Sequence, residues 1–169
     1  TAIPELLQLL DLQGALVSID AMACQTKIAK TIIEQKGDYL LAVKGNQGNL
    51  SKAVQQAFSA LRNDASSLEA LQTEKQHGRI ESRLCQVLDA STLEGNFSRW
   101  KGLKTLAMIT SFRTEKGKPV SMEYRYYISS RIMSAEQVAS AVREHWAIES
   151  MHWVLDVSMQ EDACQIYKD

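Results

Sequence analysis

The chain opens with apolar residues at helical spacing and then changes rhythm twice. From Ile3 to Leu12 the apolar positions include Leu6, Leu7, Leu9 and Leu10, and Pro4 is tolerated in the first turn, so a short helix is predicted. Gly14 breaks it. Ala15 to Ile19 is a nearly continuous apolar run, the pattern of a strand covered on both faces, and it ends at Asp20. Gln25 to Lys36 returns to helical period through Ile28, Ala29, Ile32 and Ile33, with Gly37 as the expected stop. Tyr39 to Val43 is a second buried strand leading into Lys44-Gly45-Asn46-Gln47, and a further helix is predicted from Leu50 to Leu61. Strand, helix, strand at this spacing is a βαβ unit, and its strands should be parallel.

After Asn63 the texture becomes β-like. Glu81–Leu88, Thr105–Phe112 and Met122–Ser129 alternate or are rich in branched and aromatic residues, with turn-like Gly95-Asn96 and Glu115 to Pro119 between them. Ser134-Ala135-Glu136-Gln137 then reads as a capping box, with Ser134 as N-cap and Gln137 at the third helical position. A long helix should run from there to about Met159. The chain divides into an α/β layer (1–62), a β-rich middle (63–131) and a C-terminal helix (132–169).

That last helix carries the candidate chemistry. His145, Glu149, His152 and Asp156 are spaced by four, three and four residues, which puts four polar side chains on one helical face. Val142, Trp146, Ile148, Trp153 and Val157 supply apolar surface, and the two tryptophans read as core anchors. Asp20 sits where a strand ends, the place where functional side chains collect in α/β sheets. Lys44 and Asn46 follow the second strand and should reach the same sheet edge, where they suit phosphate contacts. Arg79 and Arg83 alternate along a strand and also suit phosphate contacts.

Composition narrows the class. At 169 residues and 45% hydrophobic, the chain suits one domain with a real core. No apolar run approaches the roughly 20 residues that span a bilayer, and no signal-peptide pattern opens it, so no membrane partner is expected. Cys24, Cys85 and Cys164 are odd in number and far apart, which favours reduced thiols and a cytoplasmic setting. Formal net charge is -1, but it is unevenly spread. Residues 73–131 hold eleven Lys/Arg against six Asp/Glu, a surplus of five positive charges, while the remainder holds eight against fourteen. A basic middle in an acidic frame fits a polyanion contact beside a metal-ready site. The pair Glu74/His77 with Glu149/His152 has the spacing of di-iron bundles, but Gly78 and the strands after it leave no room for the long helix such a site needs.

Val17-Ser18-Ile19-Asp20-Ala21, Ala42-Val43-Lys44-Gly45-Asn46-Gln47, His77 to Arg83, Tyr126-Tyr127-Ile128-Ser129-Ser130 and the run Arg143 to Asp156 occur in an order that resembles bacterial insertion-sequence transposases of the DDE type, most closely the H-repeat-associated group. The resemblance implies a partial ribonuclease-H-like core, the βαβ layer plus the C-terminal helix, interrupted by the β-rich basic insertion. It implies a metal-dependent enzyme that cuts double-stranded DNA at element ends and joins the freed ends to a target. Three carboxylates would hold two Mg²⁺ ions, with Mn²⁺ as a substitute. Asp20 matches the second carboxylate and Glu149 the third, each catalytic and metal-binding. From their own positions one turn either side of Glu149, His145 and His152 are expected to contact the scissile phosphate or to orient the glutamate, while the resemblance implies two ends brought together and a homodimer on DNA.

The first carboxylate has no match and is expected upstream of Thr1. The Tyr, Arg and Lys places of the wider signature around the glutamate are held by Val142, His145 and Asp156. The chain, which begins without Met, is accordingly expected to be a segment of something longer and inactive by itself. The alternative is a non-catalytic DNA-binding remnant.

Overall fold

The computed structural model describes residues 3–21, 25–61 and 68–145. Helix α1 (Ile3–Leu9) precedes strand β1 (Leu16–Ile19), helix α2 (Thr26–Glu34) and strand β2 (Asp38–Val43). Helix α3 (Gly48–Leu61) follows a 3₁₀ turn at Gly45–Gln47, and then come β3 (Leu68–Gln76), β4 (Arg79–Asp89), β5 (Thr105–Glu115) and β6 (Ser121–Ser129). Residues 135–145 form a last described helix, α4. The fold is mixed α/β, as expected.

Among the described residues six strands form one sheet in the order β1-β2-β6-β5-β4-β3. β1 and β2 are parallel, so the βαβ reading holds; every other pairing is antiparallel. The β-rich stretch therefore continues the sheet of the α/β layer, with β6 bonded directly to β2 through Leu40↔Ser129 to Val43↔Tyr126.

Side chains alternate across this sheet and build a core on each face. Tyr39, Leu41 and Val43 of β2 pack with Ile28 and Ile32 of α2, Val54 and Phe58 of α3, and Leu106, Met108 and Ile128. On the other face Leu40, Cys85, Ala107, Ile109 and Tyr127 pack under Val138, Ala139 and Val142 of α4. Burying the Leu, Ile, Val, Met and Phe side chains among these contributes roughly 1.5–3 kcal/mol each. In α1 the expected apolar stripe is mostly outside: Leu7 is buried, whereas Leu6, Leu9 and Leu10 are exposed.

Two local details differ from the sequence reading and a third agrees with it. Helix α2 ends with Lys36 in the left-handed region (φ 61°), and the Lys36 and Gly37 amides donate to Ile33 and Ile32 carbonyls at 3.0 Å. This is a Schellman ending with lysine where glycine was expected. Gly37 is needed for space instead, because a Cβ there would stand 2.9 Å from the Leu12 carbonyl oxygen. The second difference is β3. Its sequence Leu-Glu-Ala-Leu-Gln-Thr-Glu-Lys-Gln is too polar to read as a strand, yet it pairs with β4 along its full length. The hairpin turns at His77 (φ 48°) and Gly78 (φ 76°), both positive, as the tight two-residue turns of twisted hairpins require. Glu74 thus lies in a strand and His77 in a turn, which removes the di-iron arrangement. The third is α4, whose capping box is present as read: Gln137 N–H donates to Ser134 Oγ (3.2 Å) and Ser134 N–H to Gln137 Oε1 (2.9 Å). Its predicted continuation to Met159 lies outside the described residues.

Candidate active site

β1 and β2 are parallel neighbours, so the chain leaves both at the same sheet edge. Asp20 is the first residue after β1 and Lys44 the first after β2. Lys44 Nζ lies 4.0 Å from Asp20 Oδ1, with both side chains more than half exposed. Water screens such a pair, and it adds little stability. The backbone beneath is held more firmly. Asn46 Nδ2 and Gln47 Nε2 both donate to the Ala21 carbonyl, at 3.1 and 3.2 Å, and tie the loop after β2 to the loop after β1. The Lys44 N–H donates to Gln47 Oε1 (3.1 Å), which closes the 3₁₀ turn between them.

Helix α4 crosses the sheet above these ends. Ser18 and Asp20 alternate onto the α4 face of β1, and Ser18 Oγ lies 3.1 Å from His145 Nδ1. A cavity of about 440 Å³ opens here, lined among others by Ser18, Asp20, Lys44, Arg125, Tyr127 and His145. Arg125 and Tyr127 come from β6. Val43 pairs with Tyr126, so the residues beside that pair, Lys44 and Arg125, project from the same face.

Arg125 Nε donates to Glu123 Oε1 at 3.2 Å. Burial alone would lower its pKa, but the hydrogen bond and charge of Glu123 outweigh that and raise it, so the guanidinium is permanently charged. Tyr127 is 7% exposed, and its hydroxyl is pushed up to about 12, chiefly by burial; the nearby Arg125 lowers it and the Asp20 charge raises it. At neutral pH the cleft therefore holds a protonated phenol, two cations and two exposed carboxylates, Asp20 and Glu123.

The structure brings Asp20, Lys44, Asn46 and His145 together at this edge. Asn46 acts on backbone, holding Ala21. Arg79 and Arg83 lie farther along the sheet, on β4, around one carboxylate. Glu81 receives Arg83 at 2.9 Å, Arg79 at 3.3 Å and Arg113 at 3.9 Å, while Arg79 also lies 3.8 Å from Glu115. Glu149, His152 and Asp156 lie outside the described residues. Ser18, Arg125 and Tyr127 were not singled out from the sequence. For Arg125 and Tyr127 the only signal is alternation within Tyr124-Arg125-Tyr126-Tyr127, which does not reveal that β6 lies beside β2. Among the described residues no three His, Cys, Asp or Glu side chains cluster closely enough to hold a metal ion. No helix among them is long and apolar enough to cross a membrane.

A family model described as a transposase DDE domain matches residues 1–169. The chain belongs to this family. The DDE transposase segment is also similar to curated proteins of Escherichia coli. It is 48% identical to the "H repeat-associated putative transposase YhhI" of strain K12 over 98% of the segment and 46% of that protein. Identity is 49% to "Putative protein YbfL" of strain K12, over 98% of the segment and 46% of that protein. It is again 49% to "Putative transposase YncI" of strain O157:H7, over 98% of the segment and 44% of that protein. The resemblance to the H-repeat-associated group is thus borne out. The segment spans about half the length of the curated relatives it matches.

Proposed function

We propose that this segment is a catalytic part of a longer cytoplasmic transposase that cleaves double-stranded DNA at insertion-sequence ends and transfers the strands to a target. The observation that carries the reading is the Asp20 carboxylate, exposed at the end of a rigid parallel strand on the rim of a cavity shared with Lys44, Arg125 and His145. The core is read as partial ribonuclease-H-like, residues 1–62 and 132–169, with the basic strands of 63–131 inserted into it.

Asp20 and Glu149 are assigned as catalytic acids and metal ligands. An exposed carboxylate is a hard oxygen donor of the kind Mg²⁺ or Mn²⁺ takes, so Asp20 fits one place in such a site. Glu149 is four residues beyond His145 in the sequence. The ions, when bound, would activate the attacking oxygen and stabilise the leaving oxygen. The chain's own residues do the rest. Lys44 offsets the charge of an approaching phosphate, Asn46 holds the loop that carries Ala21, and Ser18 orients the His145 ring toward its task. Tyr127, protonated at working pH, offers a hydroxyl donor. His152 is read as a second helper. Arg79 and Arg83 are assigned to backbone phosphates farther along the duplex, where three arginines around one glutamate leave a net positive surface. Two such proteins on paired ends would form a homodimer on DNA.

The test is Mg²⁺-dependent cleavage of element-end DNA by the full-length protein. Asp20→Asn and Glu149→Gln should each abolish cleavage while leaving metal-free DNA binding in place. Full activity of either variant would remove that residue from the catalytic set.

A further inference from the structure

Lys44, the residue that follows β2, and Arg125 of β6 stand beside the last pair of these antiparallel strands, Val43↔Tyr126, on the same face and in the lining of the cleft that holds Asp20. Like charges in this relation destabilise a sheet. Each is offset sideways, Lys44 by Asp20 at 4.0 Å and Arg125 by Glu123 at 3.2 Å, and both still line the cavity. The Glu123 contact does more than offset charge. It holds the guanidinium through Nε, and on the other side along the strand the Arg125 charge acts on the Tyr127 hydroxyl and lowers its pKa. A guanidinium held in this way is a preoriented fork of donors, the geometry that matches two oxygens of one phosphate. Lys44, exposed and on a flexible stem, is a point charge beside it.

We propose that Lys44 and Arg125 form a two-cation clamp for a DNA backbone phosphate next to the cleavage position, with Glu123 and Tyr127 as the residues that position Arg125. The inference rests on the proposed transposase reading for its ligand. The clamp binds and orients the strand across the sheet edge, leaving the Asp20 carboxylate facing the adjoining phosphodiester. It differs from the Arg79/Arg83 assignment in being part of the cleft itself.

The experiment measures affinity of the full-length protein for a fluorescent mixed-sequence duplex without divalent ions, between about 50 and 200 mM KCl. Arg125→Gln should weaken binding on the order of tenfold. It should also flatten the plot of log affinity against log salt by about one, the loss of one phosphate contact. Arg125→Lys should restore the slope but only part of the affinity, since the charge returns without the fork. A parental slope for Arg125→Gln overturns the clamp. If Arg125→Gln does not fold, judged by circular dichroism, Lys44→Gln decides, because its side chain is exposed: its slope must also fall by about one, and an unchanged slope overturns the proposal. Asp20→Asn separates this from the catalytic reading. Cleavage lost in Asp20→Asn with an unaltered slope in Arg125→Gln removes the clamp and keeps the active site. Cleavage retained in Asp20→Asn with a flattened slope in Arg125→Gln removes the active site and keeps the clamp.

Discussion

Ser130 offers a quantitative test of what holds β6 against β2. Its hydroxyl accepts the Tyr39 N–H at 2.9 Å and donates to Asp38 Oδ1 at 2.8 Å, while its own N–H donates to the Tyr39 carbonyl at 3.2 Å. Ser130 is 2% exposed and Tyr39 0%. Ser130→Ala would leave the buried Tyr39 N–H without that acceptor, at a cost of about 1–3 kcal/mol, and remove a charge-assisted bond worth about 1 kcal/mol after allowance for the partial exposure of Asp38. The sum is about 2–4 kcal/mol, a large part of the stability of a typical domain. With a urea slope near 2 kcal/mol/M, the unfolding midpoint should fall by about 1–2 M. Arg131, whose Nε reaches Asp38 Oδ2 at 3.1 Å from a side chain 39% exposed, provides the comparison. Arg131→Gln should cost about 1 kcal/mol or less. Metal-free DNA affinity should be unchanged in both, because this latch sits at the start of β2 and the cleft at its end. A Ser130→Ala midpoint within about 0.3 M of the parent would refute the reasoning, since it would mean that Tyr39 N–H has another acceptor or that the strands part at little cost.

Burial holds the Cys85 thiol up at about 12, with the Glu136 charge adding to it, and the Tyr127 phenol also at about 12. Both groups keep protons in the folded state that the unfolded chain gives up near its ordinary values of 9.0 and 10.0. Their contribution is therefore complete below about pH 9 and lost as pH rises toward 12. Melting temperature should fall steeply over that window, and Cys85→Ala should make the fall shallower; an equal fall in Cys85→Ala would count against the buried-thiol part. Gly37→Ala should destabilise by about 1–3 kcal/mol in chemical denaturation, because the added Cβ meets Leu12 backbone. Gly45→Ala, with nothing within 4 Å, should stay within about 0.5 kcal/mol; equal effects at the two glycines would show that Gly37 is not set by packing.

Local chemistry in the sequence was enough for several elements. The helix that Ser134 and Gln137 cap, the parallel βαβ unit and the position of Asp20 at a strand end all follow from neighbours within a few residues, where period, capping and chain connection act. The run Arg143 to Asp156, with the other quoted words, was enough for the family. Non-local contacts decided the rest. β3 is a strand because the His77-Gly78 turn folds it back on β4 and the backbone groups that face β4 find partners there, although its residues lack β character. Lys36 takes the left-handed place because Gly37 must lie flat against Leu12. Arg79 and Arg83 looked like a bare strand face, and pairing of β4 with β5 brings Arg113 to the glutamate they share. Ser130, in a word that read as part of the family signature, proves to be a latch on β2. Above all, Arg125 joins Lys44 and Asp20 only because β6 returns to lie beside β2, eighty-odd residues later in the chain. The sequence alone determined the family, the βαβ unit and the strand end that carries Asp20. Which residues share a cleft was decided by the order of strands in the sheet, since that order depends on burying both faces at once and no local pattern encodes it.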